Sequence, residues 1–249
     1  MTAAPELTPV RPAHRFDQAA LAEYLAKQLS GFSGELSVRQ FEGGQSNPTF
    51  LLSAGDRRYV LRKKPPGKLL PSAHAVDREY RVISALAGSD VPVPRARLLC
   101  EDDNVIGQAF YVMDYVAGRV FAGREMPDCP AAEVSAMFAS MAKVLGALHA
   151  VDYEGVGLGD YGRPAAYVQR QIVRWSKQYE ASKVEDCEAM DDVIGWLSTS
   201  IPPDDRASLV HGDYRPGNVI FGSDSPDVVA VLEAGHRSGA AGGELIELE

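Results

Sequence analysis

Three polar residues in one short stretch of the chain have the types and spacing needed to move a proton and bind a cation. His211, Asp213 and Asn218 lie between apolar runs that begin at Leu209 and Val219 and are typical of strands. A carboxylate such as that of Asp213 can accept the proton of a hydroxyl group held beside it. The amide oxygen of Asn218 is the kind of ligand that Mg²⁺ binds. The alternative is an ordinary hairpin, in which Asp213 caps the turn and Asn218 closes it.

The spacing of these residues also matches a known catalytic loop. The interval from Asp213 to Asn218 equals that between the base and the metal ligand in the kinase pattern H-R-D-x-x-x-x-N. With glycine in place of that arginine, the run from His211 to Asn218 resembles the catalytic loop of the aminoglycoside phosphotransferase and choline kinase group. The resemblance implies a catalytic base at Asp213, a Mg²⁺ ligand at Asn218 and a supporting hydrogen-bonding role for His211.

A glycine-containing loop lies far upstream, between strands predicted at Leu36–Phe41 and Thr49–Ser53. Two adjacent glycines let backbone amides turn toward an anion without a Cβ in the way, and polar side chains follow them. A plain hairpin turn is the alternative. The loop resembles the nucleotide-covering loop of the same group, although it lacks the full G-x-G-x-x-G of protein kinases. The residues that this resemblance assigns to the phosphates are Gly43, Gly44, Gln45, Ser46 and Asn47.

The next predicted strand, Arg58–Lys64, ends in cations. Arg62 occupies the place of the lysine in the kinase pattern V-A-I-K. An arginine can clamp phosphate oxygens in a bidentate manner, although it is not equivalent to lysine. Lys64 lies on the same strand face and is the alternate candidate. An exposed cationic strand end, with no ligand, is the simpler interpretation.

A helix predicted over residues 73–87 has an apolar stripe with Glu79 beside it. It resembles helix C of the kinase fold, whose glutamate pairs with the strand cation. The resemblance therefore implies that Glu79 orients Arg62, and we expect Asp77 and Arg78 to face water. With the Pro-Gly segment before it, this helix also resembles the branch of the family found fused to acyl-CoA dehydrogenases.

The segment from Met113 to Val116 follows two more predicted strands, Arg95–Cys100 and Ala109–Tyr115. It occupies the place of the hinge between the two lobes of a kinase. The resemblance implies that backbone groups here, up to Tyr115, hydrogen-bond the adenine edge and that Met113 shapes the back of the pocket. Met113 as an ordinary core residue is the alternative.

Helical periodicity dominates from Pro130 onward, with a central buried helix through His149 and two further helices around residues 167–179 and 186–197. Trp175, on the first of these two, either lines the acceptor site or only packs. The acidic residues near the second either attract a cationic substrate or form a solvated helix face, and we expect the solvated face.

The family pattern changes after the strand predicted at Val228–Leu232. In the family an aspartate follows, which bridges Mg²⁺ to the phosphates, whereas this chain has Glu233. Glutamate is an oxygen donor but is one methylene longer, and Mg²⁺ demands a strict octahedron. Residues 234–249 depart further from the family, which continues into several more helices, so we expect the second lobe to be incomplete.

The composition of the chain disfavours several classes of protein. The chain of 249 residues has a formal net charge of -9, which disfavours nucleic-acid binding through phosphate neutralisation. Three separated cysteines predict neither a disulfide framework nor a zinc site and favour a reducing, cytoplasmic setting. Residues 1–17 contain three prolines and no apolar run, so we expect no signal peptide and no membrane anchor.

These features together predict an α+β, protein-kinase-like fold with two lobes. The N-terminal lobe, residues 1–116, has an antiparallel sheet with helix C, preceded by an irregular leader at 1–16 and an accessory helix at 17–30. The C-terminal lobe, residues 117–249, is mostly helical and carries the catalytic and substrate-binding groups.

The resemblance implies transfer of the γ-phosphoryl group of ATP, with GTP as the other candidate, to a hydroxyl group of a small molecule, with Mg²⁺. A hydroxy acid or related metabolite is favoured over a true aminoglycoside. The alternative is a catalytically impaired pseudokinase that only binds nucleotide, because Glu233 replaces the metal-binding aspartate and the later helices are missing.

Overall fold

The structure is a computed structural model that describes residues 7–42, 47–65, 76–121, 126, 129–162, 166–201 and 207–232. The strands are antiparallel and have the bounds β1 Leu7–Thr8, β2 Leu36–Phe41, β3 Thr49–Ala54, β4 Arg57–Lys63, β5 Ala96–Cys100, β6 Phe110–Asp114, β7 Val219–Phe221 and β8 Val228–Val231. The α-helices have the bounds α1 Gln18–Gln28, α2 Val76–Leu86, α3 Asp103–Ile106, α4 Ala131–His149, α5 Tyr167–Ser182 and α6 Glu188–Thr199. The α+β class predicted from the sequence is confirmed.

The first six strands form one sheet in the order β1-β2-β3-β4-β6-β5. Side chains alternate along β4 and so point to both faces of the sheet, and each face is covered by a helix. Tyr59 and Leu61 pack on one face with α1, and Val60 packs on the other face with α2. The five strands predicted between Leu36 and Tyr115 are confirmed to within one residue at each end.

The described part of the leader differs from its prediction as an irregular segment. Leu7 and Thr8 form β1 and pair with Phe41 and Gln40 at the end of β2. A strand of two residues has no side-chain periodicity to detect, because its pairing depends on backbone hydrogen bonds to the open edge of β2. The leader therefore extends the sheet at the end of β2, which is followed in the sequence by the predicted phosphate loop.

The accessory helix α1 begins where the sequence predicts it. Asp17 caps the helix, because its carboxylate accepts hydrogen bonds from the backbone N–H groups of Ala19 and Ala20 at 2.9 and 3.0 Å. Leu21 and Leu25 lie one turn apart and are fully buried. They cover the face of the sheet opposite α2.

Helix α2 lies between the sheet and a second hydrophobic core. Val76 and Ile83 pack with residues of the sheet. Val82 and Leu86 belong to the core that also contains α4, β7 and β8. Because both cores contact α2, its position depends on both parts of the molecule.

Helix α4 is the central helix of the second core. By length and composition alone, it is the one described helix that could cross a membrane. Met137, Met141, Val144 and Leu148 pack in the core around β7 and β8, whereas most of the other side chains of α4 are exposed or half-buried. The helix predicted to be buried is therefore buried along one stripe in the described structure.

The strand predicted to begin at Leu209 is absent. Leu209, Val210 and His211 are buried but form no strand, and β7 pairs with β8 instead. The prediction was wrong because an apolar run indicates burial, which extended backbone without a sheet partner also provides.

Gly118 brings the segment after β6 against this hairpin. A Cβ at Gly118 would lie 2.2 Å from the carbonyl oxygen of Phe221, so only glycine fits. Arg119 exchanges two backbone hydrogen bonds with Phe221, and its side chain binds the Gly222 carbonyl at 2.9 Å and the Glu133 carboxylate at 2.6 Å. Arg119, which the sequence did not single out, thus connects the hinge segment to the β7–β8 hairpin, named the catalytic hairpin below because it follows the predicted catalytic loop.

Helices α5 and α6 pack against each other and have no fully buried residue. Trp175 on α5 is 57% exposed, so it does not pack in a core of the described structure. The division into lobes at residues 1–116 and 117–249 stays a prediction.

Candidate active site

The Glu79 carboxylate is the centre of a buried polar cluster. Its Oε2 atom lies 3.1 Å from Arg62 Nε, and the two side chains are 4% and 8% exposed. Asn47 Nδ2 donates to Glu79 Oε1 at 2.6 Å, and the Tyr111 hydroxyl donates to Oε2 at 3.0 Å. Both carboxylate oxygens therefore have partners, as a buried charge requires.

Two periodicities place Arg62 and Glu79 together. Arg62 shares the α2 face of β4 with Val60, since alternate residues of a strand point to the same side. Glu79 shares the buried stripe of α2 with Val76 and Ile83, at helical spacing. The predicted pairing of Arg62 with Glu79 is therefore observed.

The other cations at the end of β4 have different partners. Lys64 Nζ lies 3.8 Å from the Asp77 carboxylate, and both side chains are about one third or more exposed. Lys63 faces the opposite side of the sheet, where its Nζ donates to Gln108 Oε1 at 2.8 Å. Burial lowers the pKa of Lys63 below 10.5. The geometry therefore favours Arg62 over Lys64 as the phosphate clamp.

His211 holds the catalytic loop in place. Its Nδ1 accepts a hydrogen bond from the Asp213 backbone N–H at 3.3 Å, so the ring proton belongs on Nε2. Nε2 then donates to the Leu232 carbonyl oxygen at 2.8 Å. Because both ring nitrogens have these partners, the observed contacts are those of a supporting residue.

Asp213 and Asn218 are brought together within the loop. Asn218 Nδ2 donates to the Asp213 carbonyl oxygen at 2.8 Å and to its carboxylate Oδ2 at 3.0 Å. The amide nitrogen thus closes the loop, as in the hairpin alternative, while the Oδ1 oxygen is the atom suited to a cation. Asn218 can therefore close the loop with its amide nitrogen and still present its amide oxygen to a cation.

Arg215 is a neighbour of Asp213 that the sequence analysis missed. Its Nε donates to Asp213 Oδ2 at 3.1 Å. Gly217 makes room for it, because a Cβ at that position would lie 2.7 Å from Arg215 Nη1 and 3.0 Å from the Phe121 carbonyl. An arginine two residues after the aspartate, followed by Pro-Gly, was the available signal.

Tyr214 fixes the loop to the second core. Its hydroxyl donates to the Met141 carbonyl oxygen of α4 at 2.9 Å, and burial raises its pKa to about 12. Its ring also meets the His211 ring edge to face at 5.4 Å. The catalytic loop therefore rests on α4 through this side chain.

The predicted phosphate loop is only partly within the described residues. Gly43, Gly44, Gln45 and Ser46 lie outside them. Asn47 is fully buried, and its amide binds Glu79. The observed contact therefore makes Asn47 a support for the Arg62–Glu79 pair.

The hinge residues Met113 and Tyr115 are both integrated into the sheet. Met113 is buried and packs with Val60 and other residues beneath α2, as in the core alternative. The Tyr115 backbone N–H donates to the Arg58 carbonyl oxygen at 3.3 Å, and its ring lies 4.4 Å from the Arg58 guanidinium. That N–H is thus used within the sheet, as is the N–H of Asp114, which donates to the Arg95 carbonyl oxygen at 2.9 Å.

Asn218 is the predicted Mg²⁺ ligand that lies within the described residues. In the described residues no group of three or more His, Cys, Asp or Glu side chains forms a complete metal cluster. Mg²⁺ usually takes one or two carboxylates together with substrate phosphates and water. The Asn218 amide oxygen is an oxygen ligand of the kind that Mg²⁺ accepts, whereas Asp213 is the predicted base. Glu233, the second predicted ligand, lies outside the described residues, directly after Leu232.

Comparisons with known sequences agree with this arrangement. A profile described as the phosphotransferase enzyme family matches residues 37–232. Acyl-CoA dehydrogenase family member 11 is 46% identical over 238 residues in Gallus gallus and 42% identical over 233 residues in Homo sapiens. These alignments cover 94% and 92% of this chain but 30% of each relative, so the chain spans about three tenths of their length.

Solved structures have the same fold. The crystal structure of a candidate aminoglycoside phosphotransferase from Ralstonia eutropha is 48% identical with a TM-score of 0.77, covering 88% of this chain and 64% of that one. Aminoglycoside-3'-phosphotransferase of type VIII is 20% identical with a TM-score of 0.55, covering 86% and 76%. A mutant of APH(4)-Ia, in complex with ADP and hygromycin B, is 19% identical with a TM-score of 0.57, covering 86% and 70%. The predicted kinase-like fold is confirmed.

Proposed function

Because the chain belongs to the phosphotransferase enzyme family, we propose that it transfers the γ-phosphoryl group of ATP, or of GTP, to a hydroxyl group of a small molecule. The observation that carries this proposal is the buried pair of Arg62 and Glu79. Burying two charges is expensive, and hydrophobic residues of similar volume often give equal stability. A buried arginine with a fixed orientation is instead well suited to binding a phosphate.

Arg62 is the residue that binds the phosphates of the nucleotide, and Glu79 orients it. A guanidinium has N–H donors in a fixed fork that matches phosphate oxygens, and Glu79 Oε2 lies 3.1 Å from the Nε atom of Arg62. Gly43, Gly44, Gln45 and Ser46 cover the same phosphates through backbone and side-chain donors. The complexes of APH(4)-Ia with ADP and with AMP-PNP support a nucleotide site in this fold.

Asp213 accepts the proton of the attacking hydroxyl or aligns it. Hydrogen bonds from Asn218 and Arg215 to its carboxylate fix the rotation of that group. Phosphoryl transfer depends mainly on positioning and on neutralising charge, and a rigid carboxylate supplies the first of these.

Asn218 and Glu233 are the residues that hold Mg²⁺ against the phosphates. The ion neutralises phosphate charge when it is bound. Leu232, which precedes Glu233, is fixed to the catalytic loop on both sides, since its carbonyl oxygen accepts from His211 and its N–H donates to the Asn218 carbonyl.

The acceptor that we propose is a hydroxy acid, free or as an acyl thioester. This choice rests on the relatives, which are named as acyl-CoA dehydrogenases and are more than three times as long as the matched segment. A phosphotransferase domain on such a polypeptide fits an acceptor with an acyl chain. Hygromycin B, the ligand of APH(4)-Ia, supports a small-molecule acceptor in the same fold.

The test is ATP turnover by the purified protein with Mg²⁺ across a panel of hydroxy acids, their acyl-CoA thioesters, amino sugars and choline. Asp213→Asn is the control, and we expect it to lower turnover by roughly 10²- to 10⁴-fold. Turnover of amino sugars with no hydroxy acid accepted would overturn the acceptor assignment. Equal background from the wild type and Asp213→Asn with every acceptor would overturn the phosphotransferase assignment.

The second candidate function is a nucleotide-binding pseudokinase. The observation that favours it is Glu233, where the family has an aspartate. A carboxylate that is one methylene longer changes the geometry that Mg²⁺ demands. A pseudokinase would bind nucleotide tightly and phosphorylate none of the acceptors, and Glu233→Asp would restore phosphorylation.

A further inference from the structure

We propose that the segment 152–161 is a support that holds α2 in register, so that Arg78, Arg81 and Tyr161 are positioning residues for the Arg62–Glu79 pair. The inference rests on the proposed function, because it assigns a role in nucleotide binding to residues that do not touch the nucleotide. It also corrects the sequence analysis, which expected Arg78 to face water.

Arg78 and Tyr161 hold each other through three contacts across 83 positions of sequence. Arg78 Nη2 donates to the Tyr161 carbonyl oxygen at 2.8 Å. The Arg78 guanidinium carbon lies 4.0 Å from the centroid of the Tyr161 ring, within cation–π distance. The Tyr161 hydroxyl donates to the Arg78 carbonyl oxygen at 3.4 Å. The side chain and the backbone of α2 are therefore both engaged.

Arg81 makes the second attachment, three residues further along α2. Its Nη2 donates to the Gly157 carbonyl oxygen at 2.8 Å, and its guanidinium pairs with the Asp160 carboxylate. Arg78 and Arg81 flank Glu79 in the sequence. The turn of α2 that carries Glu79 is thus attached to segment 152–161 on both sides of that residue.

Segment 152–161 is itself rigid enough to act as a support. Asp152 Oδ1 accepts from the Gly155 N–H at 3.0 Å, and the Leu158 N–H donates to the Tyr153 carbonyl at 2.7 Å. Leu158 is 2% exposed and belongs to the core around α4. The support is therefore anchored in the same core as the catalytic loop.

The attachments of α2 set the distance between the catalytic loop and Arg62, the proposed phosphate clamp. Catalytic geometry tolerates little error, and a misplacement of about 1 Å can cost roughly 100-fold in rate. Val82 and Leu86 fix the far end of α2 to the second core. Arg78 and Arg81 fix the end that carries Glu79 and so set the position of Arg62 relative to Asp213.

The experiment compares Arg78→Ala, Arg78→Lys and Glu79→Gln with the double variant Arg78→Ala/Glu79→Gln. We expect Arg78→Ala to lower kcat/KM for ATP by about tenfold, with KM for the acceptor unchanged. Arg78→Lys keeps the cation over the ring and should lose less. The double variant should be no worse than Glu79→Gln alone, because Arg78 acts through Glu79. Arg57→Ala, an exposed arginine on the same sheet, is the matched control and should leave the kinetics unchanged.

Additive losses in the double variant, or an unchanged kcat/KM for ATP in Arg78→Ala, would overturn the inference. A second measurement separates this failure from that of the proposed function. Amide hydrogen exchange over α2 should be faster in Arg78→Ala than in the wild type, whether or not any acceptor is phosphorylated. Unchanged exchange over residues 76–86 would overturn the inference even in an active enzyme.

Discussion

Arg62 Nε on β4 lies 3.1 Å from Glu79 Oε2 on α2, and both side chains are nearly inaccessible to solvent. The pair joins the sheet to a helix that also packs against the core of the catalytic loop. Asn47 and Tyr111 donate hydrogen bonds to the same carboxylate, so each of its oxygens has a hydrogen-bond donor in addition to the ion pair with Arg62. The proposed phosphate clamp and its alignment with the catalytic loop both depend on this contact.

Breaking the pair from the acidic side should destabilise the fold. Glu79→Ala leaves the Arg62 guanidinium buried without its counter-ion, and we expect a loss of about 3–5 kcal/mol in the free energy of unfolding. Urea denaturation measures this loss. Asp77→Asn is the matched control on the same helix, because it breaks a more exposed contact with Lys64 worth at most about 1 kcal/mol. Equal losses in the two variants would contradict the buried network.

A methyl group at Gly118 should disrupt the contact between the hinge segment and the catalytic hairpin. Gly118→Ala would place a Cβ 2.2 Å from the Phe221 carbonyl oxygen and 2.4 Å from Ile220 Cγ2. Overpacking of this kind costs about 1–3 kcal/mol, measured as a fall in the free energy of unfolding. Gly146→Ala on α4 is the control, since nothing lies within 4 Å of its added Cβ. We expect that variant to be slightly more stable than the wild type, by up to about 1 kcal/mol.

Lys63 should make stability depend on pH. Burial lowers its pKa in the folded protein below 10.5, so the unfolded chain binds more protons between the lowered pKa and 10.5. The free energy of unfolding of the wild type therefore rises with pH in that interval. Lys63→Met lacks this titration.

The measurement for Lys63 is urea denaturation of both proteins from about pH 7 to about pH 10. We expect the stability of Lys63→Met relative to the wild type to be highest at the lower pH and to decrease as the pH rises. If the free energy of unfolding of Lys63→Met minus that of the wild type is constant across these pH values, or grows with pH, burial does not lower the pKa of Lys63.

The resemblance to the kinase pattern supplied the pairing of Arg62 with Glu79 and the roles in the catalytic loop, and local periodicity explains how these side chains meet. Alternation along β4 assigns Arg62 to one face, and the helical stripe of α2 assigns Glu79 to the buried side. The fixed interval in the catalytic loop brings Asp213 and Asn218 together. Each of these relations lies within one element or one loop.

Contacts between distant segments explain what the sequence did not predict. Arg78 is polar and next to the buried stripe, so periodicity assigns it to solvent, whereas Tyr161 lies 83 positions away and covers it. The partners of Arg119 are also distant in sequence, because they lie on the catalytic hairpin and on α4. Side-chain pairing across such separations depends on how the elements pack, which no local pattern contains.

The affinity for MgATP in Arg62→Met and Lys64→Met is the most direct test of the central claim, that Arg62 held by Glu79 binds the phosphates. Calorimetric titration of the two variants compares neighbouring cations at the same end of β4. The account predicts that Arg62→Met binds MgATP about 10- to 100-fold more weakly than the wild type, while Lys64→Met binds it equally well. Unchanged affinity in Arg62→Met, or a loss confined to Lys64→Met, would contradict it.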